Sequence, residues 1–553
     1  MQKHNLPPQL TNEHLVKPSR RDLIQSVTCL LAAPLFGQST QDVVARLRLD
    51  QPGPQISRHI YGQFIEHLGG VIYDGIWVGP ESKIPNIRGI RQAFVEAMKQ
   101  IRVPNFRWPG GCFADEYHWR DGIGPREQRP RTYNMWQADY PGKDKGVEPN
   151  AFGTHEFIDL CRLTGAEPYL AANVGSGSPR EFHEWVLYCN APEGTVSVAD
   201  LRVRNGAKEP FNVRYWGVGN EPWGCGGNFK PEEYATEYRR FVTQYPYAYG
   251  QPFLIAAGPN GGARDGHLSW TRGFFQAMQG HGPRLLPHGW ALHYYTGQRR
   301  SAKLPANSPD RFYDVLEAGL RMDTLIEEHW KVMGEFDKEH RTKLVVDEWG
   351  VWQPREEQQV LGPRYVLSQH GTLRDALHAA LTLDIFNRHA EKLAMCNLAQ
   401  TINCLHSLFA ARGDQFVRLP TYYVFAMYQP HMDARRLPLE MEAGTFTAKS
   451  GQETVTLPRL AGSASRSDQS VLVTLVNPHL EMPVRLRVEL SGGQAREARA
   501  QVLTHEDPYV EHDVGKPEVV QPRPLRVELN SAGTVLSVEV PAHAVVAIQL
   551  RVA

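Results

Sequence analysis

The stretch Val213-Arg-Tyr-Trp-Gly-Val-Gly-Asn220-Glu221-Pro-Trp-Gly224 joins a β-branched and aromatic run to an acidic residue at its end. Such a run predicts a short buried strand that stops at Glu221 and opens into a loop. A rigid strand fixes the carboxylate while the loop exposes it to a pocket, which favours an active-site edge. Taken alone, the acid is equally consistent with an ordinary turn or a helix N-terminus.

A second stretch, Lys343-Leu-Val-Val-Asp347-Glu348-Trp-Gly350, has the same design of a short apolar strand that ends on an acid. In glycoside hydrolysis one carboxyl group delivers a proton while another attacks the sugar or activates water. Two glutamates at strand ends are therefore the minimum set for cleaving a glycosidic bond. The pair is more specific than either member.

The number of strands predicts the architecture. Short apolar strands alternate with amphipathic helices from about Val43 to about Leu405, a pattern typical of βα units and a parallel sheet. The predicted strands lie near residues 61–66, 103–107, 167–173, 213–218, 253–257, 289–293, 344–348 and 393–397. Eight is the number of a closed (β/α)8 TIM barrel, an α/β fold. Beyond about Leu437 the helical period gives way to strand-like alternation, which predicts a C-terminal antiparallel, jelly-roll-like β-sandwich.

These patterns divide the chain into four expected segments. Residues 56–405 form the catalytic barrel, 406–553 the C-terminal β-sandwich, and 41–55 a strand that pairs into that sandwich. Residues 1–40 contain Ser19-Arg20-Arg21-Asp-Leu23-Ile24 and then a short apolar run, which together resemble a twin-arginine export signal. We expect an exported protein, periplasmic or secreted; the alternative is a disordered tail on a cytoplasmic protein.

Composition limits the partners. The 553 residues carry 60 basic and 60 acidic side chains, and the sequence pI is about 7.4. Neither nucleic acid nor an anionic membrane is favoured by this balance, so a neutral substrate fits better. The longest apolar runs fall short of the roughly 18 residues of a membrane span.

The seven cysteines form no Cys-x-x-Cys pair and no cluster with histidine at zinc-ligand spacing. The cysteine pattern therefore argues against a structural metal site. The chain also has no phosphate-binding loop and no dinucleotide glycine pattern, and we expect no cofactor. The count is odd, but loss of Cys29 with an export signal would leave six, so the arithmetic leaves disulfides open. We expect mostly free, buried thiols.

Chemistry in a barrel of this type gathers at the C-terminal ends of the strands, where this sequence is consistently polar. The residues at or just after those ends are Glu66, Arg107, Cys112, Asn173, Asn220, Glu221, His293, Tyr295, Glu348, Asn397 and Gln400. Such groups suit the hydroxyls of a sugar. Three have structural alternatives: Glu66 as a partner of Arg107, His293 as a core histidine, and Cys112 as a small packing residue beside two glycines.

Five motifs together resemble the α-L-arabinofuranosidases of glycoside hydrolase family 51. They are Arg107-Trp-Pro-Gly-Gly-Cys112-Phe, Trp216-Gly-Val-Gly-Asn220-Glu221, Leu292-His293-Tyr-Tyr295-Thr, Val346-Asp-Glu348-Trp-Gly350 and Asn397-Leu-Ala-Gln400-Thr-Ile-Asn403. The resemblance runs from about Val43 to the C-terminus. It implies a retaining double displacement in a (β/α)8 barrel, no metal, an arabinose-containing oligo- or polysaccharide as substrate, and a homo-oligomer, often a hexamer.

The resemblance also implies roles for individual residues. Glu221 is the expected general acid/base and Glu348 the expected nucleophile. The expected substrate-binding residues match positions that hold the furanose ring: Glu66, Cys112, Asn220, His293, Tyr295 and Gln400. We expect an exo-acting α-L-arabinofuranosidase that acts on arabinan, arabinoxylan or arabino-oligosaccharides.

The alternatives are an endo-glucanase or β-xylosidase on the same scaffold, or a non-catalytic carbohydrate-binding protein. Pro222 departs from the family pattern, and we expect it to alter the wall of the leaving-group pocket.

Overall fold

The structure, a computed structural model, describes residues 41–138, 146–263, 266–298 and 300–553. Eight parallel strands close into a barrel in chain order, the last pairing with the first. They are β1 (Gly62–Phe64), β2 (Asn105–Trp108), β3 (Glu167–Ala172), β4 (Tyr215–Val218), β5 (Phe253–Ala256), β6 (Gly289–Thr296), β7 (Lys343–Val351) and β8 (Leu393–Leu398). The prediction of a (β/α)8 barrel is confirmed. The predicted export signal lies outside the described residues and stays a prediction.

Side chains fill the barrel interior. One buried layer takes a residue from each of six strands: Tyr169, Tyr215, Ile255, Ala291, Val345 and Met395. Such layers make the barrel a packed core rather than a pore. The α-helices within the described ranges are Gln92–Gln100, Met135–Ala138, Thr154–Thr164, Pro179–Asn190, Ser197–Arg204, Pro231–Thr243, His267–Ala277, Pro309–Gly334, Leu373–Arg388 and Pro420–Tyr428.

Helix starts follow local sequence signals. Ser178 caps the helix Pro179–Asn190 by accepting a hydrogen bond from the Glu181 amide, and proline occupies the first helical position. Thr154 is the first residue of the helix Thr154–Thr164, and its hydroxyl accepts a hydrogen bond from the Trp185 indole. Gly153 is the N-cap there.

Two sheets stack as the C-terminal sandwich, and alternation decides which side chains face inward. In Val484–Ser491 the apolar residues are buried while Arg485 and Arg487 are exposed. The N-terminal strand Gln41–Arg48 lies in this sheet, parallel to Val484–Ser491 and antiparallel to Leu439–Met441. The other strands of this sheet are Val535–Val540 and Val527–Leu529. The second sheet consists of Arg435–Leu437, Ala461–Ser467, Ser470–Asn477, Ala544–Val552, Ala495–Leu503 and Arg523–Leu525.

Short two-stranded ladders are found in both the barrel part and the sandwich part of the chain. They pair Asn86–Ile87 with Ile90–Arg91, Thr132–Tyr133 with Val147–Glu148, Gly371–Thr372 with Glu511–His512, Phe409–Arg412 with Gln415–Arg418, and Thr445–Ser450 with Glu453–Pro458. Among the described residues, none of the helices combines the length and the apolar character that crossing a bilayer demands.

Candidate active site

The ends of three barrel strands bring two carboxyl groups and one imidazole together. Glu221 follows β4, His293 lies on β6 and Glu348 lies on β7. His293 Nδ1 is 2.9 Å from Glu221 Oε1 and 3.3 Å from Glu348 Oε2. One oxygen of each glutamate and a nitrogen of His293 all lie within 4.8 Å of one another. The two acids predicted from separate stretches of sequence thus face each other across one histidine.

Glu221 sits in an unusual position for an acid. Its backbone φ is 37°, in the left-handed region where residues other than glycine are uncommon. Burial raises the pKa of its carboxyl group, the hydrogen bond to His293 opposes that rise, and the negative charge of Glu348 adds to it. The protonated form is therefore favoured relative to an ordinary glutamate.

Glu348 accepts hydrogen bonds from buried donors on both of its oxygens. Arg107 Nη1 donates to Oε1 at 2.8 Å, and the Tyr295 hydroxyl donates to Oε2 at 2.7 Å. Arg107 Nη2 also donates to Asn220 Oδ1 at 2.6 Å. The buried guanidinium of Arg107 therefore fixes both the carboxylate of Glu348 and the side-chain amide of Asn220, the residue before Glu221.

Asp347 belongs to the same network, although the sequence patterns predict no role for it. It accepts hydrogen bonds from the Tyr169 hydroxyl at 2.7 Å and pairs with His293 Nε2 at 3.1 Å and Arg107 Nε at 3.4 Å. Consecutive residues of a regular strand point to opposite faces. Here the register of β7 against β8 shifts between Val346 and Trp349, and a bulge of this kind re-aims side chains.

The charges of this network set the protonation of its members. Burial alone lowers the pKa of His293, but the charge of Glu348 and the hydrogen bonds to Asp347 and Glu221 outweigh it and raise that pKa to about 10. Burial raises the pKa of Asp347, and the positive charge of Arg107 with the bond from His293 brings it below its usual value. His293 is thus an imidazolium among acids, and the interpretation of it as an ordinary core histidine is wrong.

Glu66 lies beside the two acids Glu221 and Glu348 but does not contact Arg107. Its Oε1 accepts from the amides of Gly111 at 2.9 Å and Phe113 at 3.1 Å, and its Oε2 accepts from Gln400 Nε2 at 2.8 Å. The alternative of a Glu66–Arg107 pair is therefore wrong. Burial first and the charge of Glu348 second raise the pKa of Glu66 to about 7.

The Gly110-Gly111 pair explains how the backbone approaches these acids so closely. A Cβ on Gly110 would lie 2.6 Å from Glu66 Cγ, and a Cβ on Gly111 would lie 2.6 Å from Glu348 Oε1. Any larger residue would displace a carboxylate. The backbone at this point therefore approaches the carboxyl groups of Glu66 and Glu348 themselves.

Cys112 differs most from the expectation of free, buried thiols. It forms a disulfide with Cys225, 113 residues away along the chain. The sulfur atoms of Cys112 and Cys225 lie 3.8 Å and 3.6 Å from Glu221 Oε2. The other four cysteines in the described part of the chain are buried and free, as predicted: Cys161, Cys189, Cys396 and Cys404.

A cavity of about 570 Å³ opens over Glu221, His293 and Tyr295. Trp223 and Trp352 contribute its aromatic walls. Pro222, which we expected to alter the wall of the leaving-group pocket, is buried and does not line this cavity. Its neighbour Trp223 does, with the indole nitrogen donating to the Gly258 carbonyl at 3.2 Å.

Two strand-end amides have structural partners instead. Asn173 accepts from the amides of Ser176 and Gly177 and so shapes its own loop. Asn397 donates to the carbonyl of Gln63 and to Asn105 Oδ1, which links neighbouring barrel strands. Polar residues at strand ends therefore divide into those that face the site and those that stabilise the barrel.

Comparison with known proteins agrees with this geometry. Residues 97–296 match the α-L-arabinofuranosidase 1 domain, and residues 347–544 match the α-L-arabinofuranosidase C-terminal domain. An intracellular exo-α-L-arabinofuranosidase of Bacteroides ovatus is 38% identical over 532 residues, which cover 95% of this chain and 98% of that protein. α-L-Arabinofuranosidase C of Emericella nidulans is 30% identical over 483 residues, covering 84% and 90%.

Solved structures give the same assignment. The family 51 arabinofuranosidase of Xanthomonas axonopodis pv. citri is 38% identical with a TM-score of 0.85 and covers 92% of this chain and 100% of its own. The Thermotoga maritima α-L-arabinofuranosidase in complex with arabinose is 27% identical with a TM-score of 0.79, covering 92% and 100%. The chain belongs to the α-L-arabinofuranosidases of glycoside hydrolase family 51.

Proposed function

We propose that this enzyme releases terminal, non-reducing α-L-arabinofuranosyl residues from arabinan, arabinoxylan or arabino-oligosaccharides with retention of configuration. The observation that carries the proposal is the short separation of the Glu221 and Glu348 oxygens, which lie within 4.8 Å of each other. Retaining glycosidases hold their two carboxyl groups about 5–5.5 Å apart, whereas inverting enzymes keep about 6.5–9.5 Å for a water molecule. The Bacteroides ovatus relative carries the exo-acting name.

The first chemical step uses both acids. Glu348 attacks the anomeric carbon, the glycosidic C–O bond breaks, and Glu221 transfers its proton to the departing oxygen. The products are an arabinosyl ester on Glu348 and a free alcohol. The raised pKa of Glu221 suits it to hold that proton at the start.

The second step returns the enzyme to its first state. Glu221, now a carboxylate, takes a proton from water as the water oxygen attacks the anomeric carbon and the bond to Glu348 breaks. Arabinose leaves with its original configuration because two inversions have occurred. Glu221 again carries its proton, and Glu348 again carries its negative charge.

Neighbouring groups suit the furanose hydroxyls. Gln400 Oε1 has no hydrogen-bond partner within the described ranges, so it is able to accept from a hydroxyl. Asn220, fixed by Arg107, is the proposed partner of the 2-hydroxyl, where a bond strengthens as charge develops at the anomeric carbon. Glu66 and Tyr295 complete the proposed furanose site. The cavity over Trp223 and Trp352 receives the leaving group in this proposal.

A panel of aryl glycosides tests the function. We expect turnover of 4-nitrophenyl α-L-arabinofuranoside. The kcat/KM for the corresponding β-xyloside and β-glucoside should be at least about 10²-fold lower, because pocket contacts to hydroxyl groups discriminate strongly between sugars. Proton NMR of the first-formed sugar reports the configuration. Activity on the xyloside or glucoside alone would establish the competing glycosidase, and an inverted product would refute the role of Glu348.

Asp347 offers a separate prediction about positioning. Asp347→Asn keeps the size of the side chain but removes a charge that helps to raise the pKa of His293. We expect kcat to fall by about 10²-fold through misplacement of Arg107 and His293. Asp337→Asn is the matched control, since Asp337 is buried before β7 and accepts from the Thr342 amide away from the site. A kcat for Asp347→Asn equal to that of Asp337→Asn would contradict the positioning role of Asp347.

A further inference from the structure

The Cys112–Cys225 disulfide joins two loops at the mouth of the site. Cys112 begins the short turn Cys112–Asp115 after β2, and Cys225 lies in the glycine-rich loop that follows Glu221. Both residues are half-buried, so a small reductant has access to them. Since the disulfide lies against a carboxyl group rather than in a remote loop, its redox state bears directly on the site.

Both sulfur atoms face the same oxygen of Glu221. The distances to Oε2 are 3.8 Å from Cys112 Sγ and 3.6 Å from Cys225 Sγ, while Oε1 is taken by His293. In the disulfide neither sulfur carries a proton, so neither donates to the carboxylate. The oxidised pair is thus a weakly polar wall beside one oxygen of the proposed acid/base.

Reduction changes this wall into two thiols. A dithiol reductant supplies two electrons and two protons, so that the S–S bond breaks, each cysteine gains a proton, and the reductant leaves as its own disulfide. Thiols deprotonate when a metal ion binds and then act as strong, soft ligands. Cysteine thiolates and glutamate carboxylates are both ligands of Zn²⁺, and three protein ligands leave the fourth position for water.

The geometry suits such an ion. The sulfurs and one oxygen of Glu221 lie within 4.8 Å of one another. A tetrahedral zinc site with bonds of about 2.3 Å to sulfur and 2.0 Å to oxygen separates sulfur from oxygen by about 3.5 Å and sulfur from sulfur by about 3.8 Å. The observed sulfur–oxygen distances are close to that value. Only the two sulfurs have to move apart, which side-chain rotation provides.

A second tie keeps the two loops together without the disulfide. Asp115, in the same turn as Cys112, accepts from the Asn220 amide at 3.0 Å through Oδ2 and from the amides of Val174 and Gly175 at 2.9 Å through Oδ1. Because this carboxylate joins the turn to the residue before Glu221, the thiols stay close after reduction. The ligand set is therefore held in place by the fold.

We propose that reduction of the Cys112–Cys225 disulfide opens a site for Zn²⁺ or a similar soft divalent cation, formed by the two thiolates and Glu221, and that the bound ion blocks catalysis. The ion holds Glu221 as a carboxylate, so no proton reaches the leaving group. The loss of activity rests on the proposed role of Glu221; the binding of metal does not. In this proposal the disulfide protects the acid/base from metal capture.

The test titrates metal into oxidised and reduced enzyme. The protein carries Cys29→Ser, which removes the thiol outside the described residues, and is reduced with excess dithiol that is then removed under nitrogen. Cd²⁺ serves as the probe because its thiolate complexes absorb in the ultraviolet. We expect one equivalent to bind the reduced enzyme only, with activity on an alkyl arabinofuranoside falling by about 10²-fold or more and returning on addition of EDTA.

Single substitutions identify which side chains bind the metal ion. Reduced Cys112→Ser and Cys225→Ser should lose the stoichiometric absorption, whereas reduced Cys161→Ser should keep it, because Cys161 is a buried thiol on the helix Thr154–Thr164. Glu221→Gln should bind Cd²⁺ more weakly. The proposal is overturned if the reduced enzyme shows no thiolate absorption, if Cys225→Ser binds as tightly as its parent, or if reduction alone abolishes activity.

The two proposals fail in different ways. If Glu221 is not the acid/base, Cd²⁺ still binds the reduced enzyme but activity on the alkyl arabinofuranoside persists. If the metal site is absent, no absorption develops, yet Glu221→Ala retains the dependence on leaving group described below.

Discussion

Glu348→Ala is expected to lower kcat/KM for aryl α-L-arabinofuranosides by about 10⁴-fold or more, since the covalent intermediate no longer has an attachment point. Glu348 receives hydrogen bonds from Arg107 and Tyr295 on its two oxygens, which fixes its direction in the rim of the barrel. Glu66 holds its own carboxylate against backbone amides and Gln400, so it is not free to replace Glu348. A good leaving group does not rescue the variant, because attack itself is lost.

The measurement is kcat/KM for a 2,4-dinitrophenyl arabinofuranoside together with an alkyl arabinofuranoside. Glu348→Gln is the isosteric companion, and a thermal melt shows that both variants fold. Added azide occupies the space left by alanine and attacks from the nucleophile side, which yields the β-configured arabinosyl azide by a single inversion. Residual activity within tenfold of the parent would show that another group is the nucleophile.

Glu221→Ala should give a loss that depends on the leaving group. Removal of a general acid costs about 10²–10⁴-fold where the departing oxygen needs a proton. The kcat/KM of the variant for an alkyl arabinoside or arabinan should therefore be lower by that factor. In contrast, the variant should convert a dinitrophenyl arabinoside to the arabinosyl enzyme at a rate close to that of the parent enzyme. Glu221→Gln is the matched variant of equal size.

Two further readouts identify the role of Glu221. Azide should accelerate turnover of the activated substrate and give the α-configured azide, because it attacks the arabinosyl enzyme from the side that water normally uses. The parent kcat/KM should fall at alkaline pH as Glu221 loses its proton, at a pH above the usual glutamate range since burial raises its pKa. The variant should lack that limb. Wild-type activity of Glu221→Ala on arabinan would contradict the assignment.

The barrel was predictable because its signals are local. Each strand is a short apolar run between helices, and all eight predicted strands overlap those of the structure. The rule that strand ends share one rim then placed Glu221 and Glu348 on the same face of the barrel. No long-range information was needed for this step.

The network around the two acids was not predictable in the same way. The sequence offers Arg107 as a partner of Glu66, but in the structure Arg107 donates hydrogen bonds to Glu348 and Asn220. Asp347 reaches the site through a shift in strand register, which leaves no mark in the local alternation of residues. Partners of this kind depend on angles between strands that are far apart in the sequence.

The sequence by itself determined the eight strands and the two glutamates at their ends, because periodicity and strand termination are properties of neighbouring residues. Only the tertiary structure decided that His293 is an imidazolium between Glu221 and Glu348, and that Cys112 pairs with Cys225 beside Glu221. The physical reason is the same in both cases. Protonation and disulfide formation depend on distances of a few ångströms between groups that only the closed barrel brings together.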